Sequence, residues 1–181
     1  MKSNYRYFLL SLLIIVLDQA IKMAVHFYME PGYYGQIEII SPYVKLHYTL
    51  NPGMAFGIQL GSDYGKLILT SFRILAMFGI GIWLHSLTVK KSPTGLLVSV
   101  ALILGGAIGN LIDSVFYGVW FNNAPAGAPM SWFHGQVIDM FFADFYEGPL
   151  PSWIPLWGGS YYSTPIFNFA DAAIFCGVMA I

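Results

Sequence analysis

Four long apolar stretches are separated by segments of a different pattern. Residues 7–27, 66–85, 94–116 and 165–181 are each dominated by Leu, Ile, Val, Phe, Ala and Gly. A helix crossing the hydrocarbon of a bilayer takes roughly 20 such residues, so the pattern predicts four transmembrane helices. The fourth is short and no polar tail follows it, which predicts that the sequence stops within its last helix. Between the first two stretches, "VKLHYTL" sets Val44, Leu46, Tyr48 and Leu50 against Lys45, His47 and Thr49. A period of two predicts a strand with one apolar face. "QIEII" precedes it across Ser41-Pro42, which predicts a hairpin. In the second polar segment, "VIDMFFADFY" (137–146) predicts a short interfacial helix, and Trp153 and Trp157 suit the headgroup level. The fold class expected is an all-α membrane protein with a small β part, in one domain over 1–181.

Composition strengthens the membrane reading. Of the 181 residues, 57% are hydrophobic and 9% charged, where a soluble domain has roughly 25% charged. The net charge of −1 includes no basic block, so no nucleic-acid partner is indicated. Cys176 is the single cysteine, which excludes an internal disulfide framework and suggests packing in an apolar run. Lys2, Arg6 and "YFLLSLLIIVL" look like a signal peptide, but Asp18 and Lys22 follow with no small-x-small cleavage site. The stretch is therefore read as an uncleaved first span. Lys2 and Arg6 precede span 1, Lys90 and Lys91 lie between spans 2 and 3, and no Lys or Arg follows Lys91. The positive-inside rule then places the N-terminus and the 86–93 loop in the cytoplasm, and 28–65 and 117–164 on the other side.

A carboxylate inside a membrane helix costs about 2.5–3.5 kcal/mol on insertion scales and needs a partner, a cavity or a task. "DQAIK" sets Asp18 and Lys22 at i, i+4, where an ion pair by itself is a sufficient structural reason. "NLID" sets Asn110 and Asp113 at i, i+3 on one face, and "NFAD" does the same with Asn168 and Asp171. Asn51 follows the strand in the Gly-rich "LNPGMAFG", Asp139 lies in "QVIDM", and Arg73 stands alone in span 2. With the expected topology these groups converge on one layer near the outer ends of the spans. No HExxH, Walker loop or GxSxG elbow is present. Carboxylates with amides around them remain. Two Asp side chains held close cannot both ionise, so one keeps a proton as acid and the other acts as base on a water. A metal site from His134, Asp139 and Asp144 is one alternative, and an acidic ion path in a small transporter or channel subunit is another.

In order along the chain, "DQAIK", "NPGMAFG", "GGAIGNLID", "VID" and "FNFAD" resemble the motifs of the bacterial lipoprotein signal peptidase (signal peptidase II) family. The resemblance covers the first three spans, the first outer segment and the start of span 4. It implies four transmembrane helices with a periplasmic β cradle and a periplasmic helix. The implied activity is that of an inner-membrane aspartyl endopeptidase that needs no cofactor. Such enzymes cut prolipoproteins just before a diacylglyceryl-modified Cys, with membrane lipids as surroundings and globomycin-like inhibitors as further ligands. It places the catalytic pair on Asp139 and Asp171, and supporting roles on Asp18, Lys22, Asn51, Asn110, Asp113 and Asn168. Two departures stand out. Ser114 occupies a position where the family usually has Arg, and twenty-five residues separate Asp113 from Asp139, longer than usual. Arg73 is expected either to supply the absent cation by reaching Asp113 or Asp18, or to snorkel to the outer headgroups.

Overall fold

The computed structural model describes residues 5–52 and 64–181. Lys2 and the "GMAFG" part of the Gly-rich turn lie outside the described residues. Among the described residues, three helices are long and apolar enough to cross a membrane: α1 (Arg6–Tyr28), α2 (Gly65–Val89) and α3 (Thr94–Ile112). The last continues through a π-helical turn (Asp113–Tyr117) into a short α4 (Gly118–Trp120). Half of the most apolar stretch of α3 is buried, against 11% for α2, so α3 is the central helix. Its glycines make this possible. A Cβ on Gly105 would sit 2.8 Å from Ile14 Cβ on α1, and one on Gly106 would collide with the Ala170 carbonyl. Side-chain-free faces let both neighbours approach closely.

Beyond one end of the helices lies an antiparallel sheet of order β1 (Ile37–Ile40), β2 (Val44–Asn51), β3 (Val137–Ala143). The hairpin expected from "QIEII" and "VKLHYTL" is present, with Ile37 opposite Leu46. The expected interfacial helix over 137–146 is not. Residues 137–143 form β3, with Thr49 opposite Asp139 and Asn51 opposite Val137. The run is rich in aromatic and aliphatic residues and meets the open edge of β2, which satisfies its main-chain donors and acceptors. Alternation then sends Ile138 and Met140 into an apolar cluster with Val25, Tyr48 and Tyr117, and Asp139 to the opposite face. A two-stranded hairpin, β4 (Glu147–Pro149) with β5 (Tyr161–Ser163), follows, and Trp153 and Trp157 are exposed between its strands.

The fourth apolar stretch is helical only as α5 (Phe169–Met179), 11 residues or about 16 Å, well short of a ~30 Å hydrocarbon core. It starts at 169 and not 165 because Phe167 is extended and pairs with Phe141. Phe167 N–H donates to Phe141 O at 3.0 Å and Phe141 N–H to Phe167 O at 2.8 Å. Cys176, expected to pack, is exposed on α5. A second apolar cluster of Tyr7, Leu84, Leu87, Leu97, Val100, Ala101 and Leu104 fills the end of the bundle remote from the sheet.

Candidate active site

The polar residues singled out in the sequence meet where the helices abut the sheet. Asp18 and Lys22 on α1 are one turn apart and fully buried, with Lys22 Nζ 2.9 Å from Asp18 Oδ2. The same ammonium is 2.7 Å from Asp113 Oδ2 and donates to Asn110 Oδ1 at 2.9 Å. Gly109 is what lets Asp18 approach α3, since a Cβ there would lie 2.6 Å from Asp18 Oδ2.

Asn110 is a hub. Its Nδ2 donates to Asp171 Oδ1 at 2.7 Å, and its Oδ1 accepts from Asn168 Nδ2 at 3.0 Å as well as from Lys22. Asn168 Nδ2 also donates to Asp139 Oδ1 at 2.6 Å, and Asn51 Nδ2 donates to Asp139 Oδ2 at 2.9 Å. Asn51 reaches Asp139 on the diagonal of the β2–β3 register, two residues from its own partner Val137. Burial, with the nearby charge of Asp171 adding to it, pushes the Asp139 carboxyl up to about 7 against the two amides and Lys22. Asp139 is 1% exposed while Asp171 is only partly buried, so the two carboxyls stand in unlike environments.

Asn168 and Asp171 were expected on one helix face. Asn168 is instead the N-cap of α5, with extended backbone, and Asp171 is the third helical residue. Asp171 N–H donates to Asn168 Oδ1 at 2.9 Å, and Asn168 N–H donates to Asp171 Oδ2 at 3.3 Å. This reciprocal capping box fixes both side chains by the helix start itself. The signal was readable, as Asn-x-x-Asp before an apolar run.

Arg73 donates from Nη1 to Ser114 Oγ at 3.1 Å, and Ser114 Oγ donates to the Asn110 carbonyl at 3.0 Å. The ammonium that bridges Asp18 and Asp113 belongs to Lys22, whereas the contact of Arg73 falls on the residue standing in the family's Arg position. The long segment before β3 packs back on this corner: Phe133 N–H bonds Val115 O, Gly135 N–H bonds Ser114 O, and Thr70 Oγ1 donates to Phe133 O. Sequence reasoning missed Gln19, Tyr117 and Lys66. Tyr117 is fully buried and its hydroxyl donates to Gln19 Oε1 at 3.0 Å. Lys66 Nζ donates to the Pro52 carbonyl at 2.5 Å, just after Asn51.

The alternative ligand set does not assemble. His134 bonds the Trp132 carbonyl, Asp144 is paired with Lys45 at 2.7 Å, and Asp139 is held by amides. Among the described residues no three His, Cys, Asp or Glu side chains gather as metal ligands. Nor do the polar groups named here extend along the bundle as an ion path would, since its remote end is the apolar cluster around Leu84 and Val100.

Carboxylates and amides gathered at one end of a bundle of membrane-length helices suit a membrane-embedded enzyme. Two solved structures, each described as a bacterial membrane enzyme determined by the in meso method, share this fold. The one at 1.9 Å is similar with a TM-score of 0.61 and 23% identity, over 97% of this chain and 88% of the other. The one at 2.3 Å has a TM-score of 0.61 and 22% identity, over 97% and 84%. Residues 10–181 match the family of signal peptidase (SPase) II. The lipoprotein signal peptidase of Amoebophilus asiaticus is 50% identical over 183 residues, 99% of this chain and 77% of the relative. That of Porphyromonas gingivalis is 43% identical over 185 residues, 95% and 79%. The chain belongs to the signal peptidase II family and is a membrane-embedded peptidase.

Proposed function

We propose that this peptidase is of the aspartyl type and removes signal peptides from diacylglyceryl-modified prolipoproteins, cutting before the lipidated Cys. The observation that carries the reading is the pairing of Asp139 with Asp171 through Asn168 and Asn110, with Asp139 held near neutrality by burial. Asp171, the more accessible carboxyl, takes a proton from a water whose oxygen attacks the scissile carbonyl carbon. Asp139 donates its proton to the carbonyl oxygen, giving a neutral tetrahedral diol. Collapse returns a proton to Asp139, Asp171 passes its proton to the leaving nitrogen, and the C–N bond breaks. Asn51, Asn110 and Asn168 hold the two carboxyls through this exchange, and Asp18, Lys22 and Asp113 support them.

Arg73, carried by α2, stands in for the cation missing at Ser114. Arg6, Lys90 and Lys91 favour an N-terminus and an α2–α3 loop in the cytoplasm, hence a site at the periplasmic face of the inner membrane. Globomycin-like inhibitors are expected to occupy the same site. The test is Asp171→Asn, which keeps shape and removes the base. Cleavage should fall at least about 100-fold, the low end of an acid–base contribution. Near-normal turnover by a folded variant would refute the assignment.

A further inference from the structure

Lys22, Asp18 and Asp113 form a buried cluster of one cation and two carboxylates, all at 0% side-chain exposure. As mere helix packing this is a costly choice. Each ion loses several kcal/mol of hydration, and one negative charge is left in excess. The remaining contacts of the carboxylates explain the choice. Asp18 Oδ1 accepts the backbone N–H of Ala170 at 2.9 Å, one residue before Asp171. Asp113 Oδ2 accepts the backbone N–H of Ile138 at a longer 3.4 Å, one residue before Asp139. Each supporting carboxylate thus grips the main chain immediately ahead of one member of the Asp pair. The three protons of the Lys22 ammonium are used on Asp18, Asp113 and Asn110 Oδ1, which ties both grips together and turns Asn110 Nδ2 toward Asp171. From the far side, the Tyr117 hydroxyl fixes Gln19 Oε1, so that Gln19 Nε2 donates to Asp113 Oδ1 at 3.0 Å and Asp18 Oδ2 at 3.2 Å.

We propose that the Asp18–Lys22–Asp113 cluster, braced by Gln19 and Tyr117, is a gauge that sets the spacing of the two catalytic carboxyls by holding the backbone of β3 and of α5 at fixed distances from one ammonium. These are positioning residues, and the proposal rests on the Asp139–Asp171 reading above. Two substitutions of Asp18 test it in the full chain in lipid nanodiscs, with a synthetic prolipoprotein peptide carrying the lipidated Cys. Asp18→Leu removes the acceptor facing Ala170 N–H. Asp18→Asn keeps a neutral acceptor there. A misplacement of roughly 1 Å costs about 100-fold, so kcat of Asp18→Leu should fall by about that factor with KM within about twofold.

Asp18→Asn should recover at least about 10-fold of that loss, as rescue of geometry requires. Amide exchange in Asp18→Leu should quicken in peptides covering 168–171 and not in those of α2. A KM effect as large as the kcat effect, or a folded Asp18→Asn no better than Asp18→Leu, overturns the proposal. Where Asp18→Leu does not fold, Asp18→Ala, which also removes the acceptor facing Ala170 N–H, takes its place. Lowered kcat at unchanged KM with faster exchange at 168–171 upholds the gauge, and wild-type values of both overturn it. Asp171→Asn is measured alongside. If it still turns over, the dyad reading falls and the gauge with it; if it is inactive while Asp18→Leu is fully active, only the gauge falls.

Discussion

Asp139→Asn should make the protein more stable at high pH while inactivating it. The Asp139 carboxyl titrates at about 7, against 3.8 for an ordinary Asp, and burial is the main cause. The folded state therefore holds a proton that the unfolded chain releases. Between the two values the folded form binds more protons, so stability falls as pH rises. The contribution is fully present below about 3.8 and gone above about 7. At about 1.36 kcal/mol per pH unit the gap amounts to about 4 kcal/mol. Asn cannot ionise, so the variant lacks this loss. It has a separate, pH-independent cost: its NH2 faces a donor of Asn51 or Asn168, about 1–3 kcal/mol for an unmet group. The assay is the difference in unfolding midpoint between the two proteins in detergent, scanned from pH 4 to pH 9. Groups common to both cancel. The variant should be the less stable at pH 4, gain on the parent through pH 7, and level off beyond, with cleavage lost throughout. A difference flat with pH, or one growing in the parent's favour above pH 5, would refute the account of Asp139.

A precursor lacking the diacylglyceryl group should be cleaved far less well than the lipidated one, because each buried methylene contributes about 0.8 kcal/mol to holding the substrate at the membrane; equal rates in a side-by-side assay would rule this out. Arg73→Gln should lower activity, and adding Ser114→Arg should restore part of it, since the guanidinium would return to the corner now shared by Arg73 and Ser114. A silent Arg73→Gln would end the idea of a relocated cation.

The helices and their buried ions were legible because a charge in an apolar run is costly wherever the fold puts it. Spacing alone therefore joined Asp18 to Lys22 and Asn110 to Asp113. The strand 44–50 was legible from its period of two. Residues 137–143 were misread because a short run of aromatic and aliphatic residues suits an interfacial helix as well as a strand. Only the open edge of β2, a tertiary fact, decides between them. The start of α5 was placed four residues early for a like reason, as the pairing of Phe167 with Phe141 is invisible in "TPIFNF". Gln19 and Tyr117 went unnoticed because a neutral amide and a phenol in a membrane helix raise no alarm on an insertion scale. Their importance comes from the carboxylates they meet. The segment before β3 gave no periodic signal, because it is held by main-chain bonds to the π-helical turn.

The pairing of Phe141 with Phe167 also changes how the chain between them should be regarded. It closes a loop just beyond Asp139 and just before Asp171, so the path the polypeptide takes in between is short-circuited. Lengthening or trimming the tip between β4 and β5 alters the contour of that detour but not the separation of its two ends, and loop-closure entropy grows only by about 0.6 kcal/mol per doubling of length. The tip around Trp153–Trp157 is therefore where an epitope, a fluorophore or a spin label can be inserted with the catalytic geometry left intact.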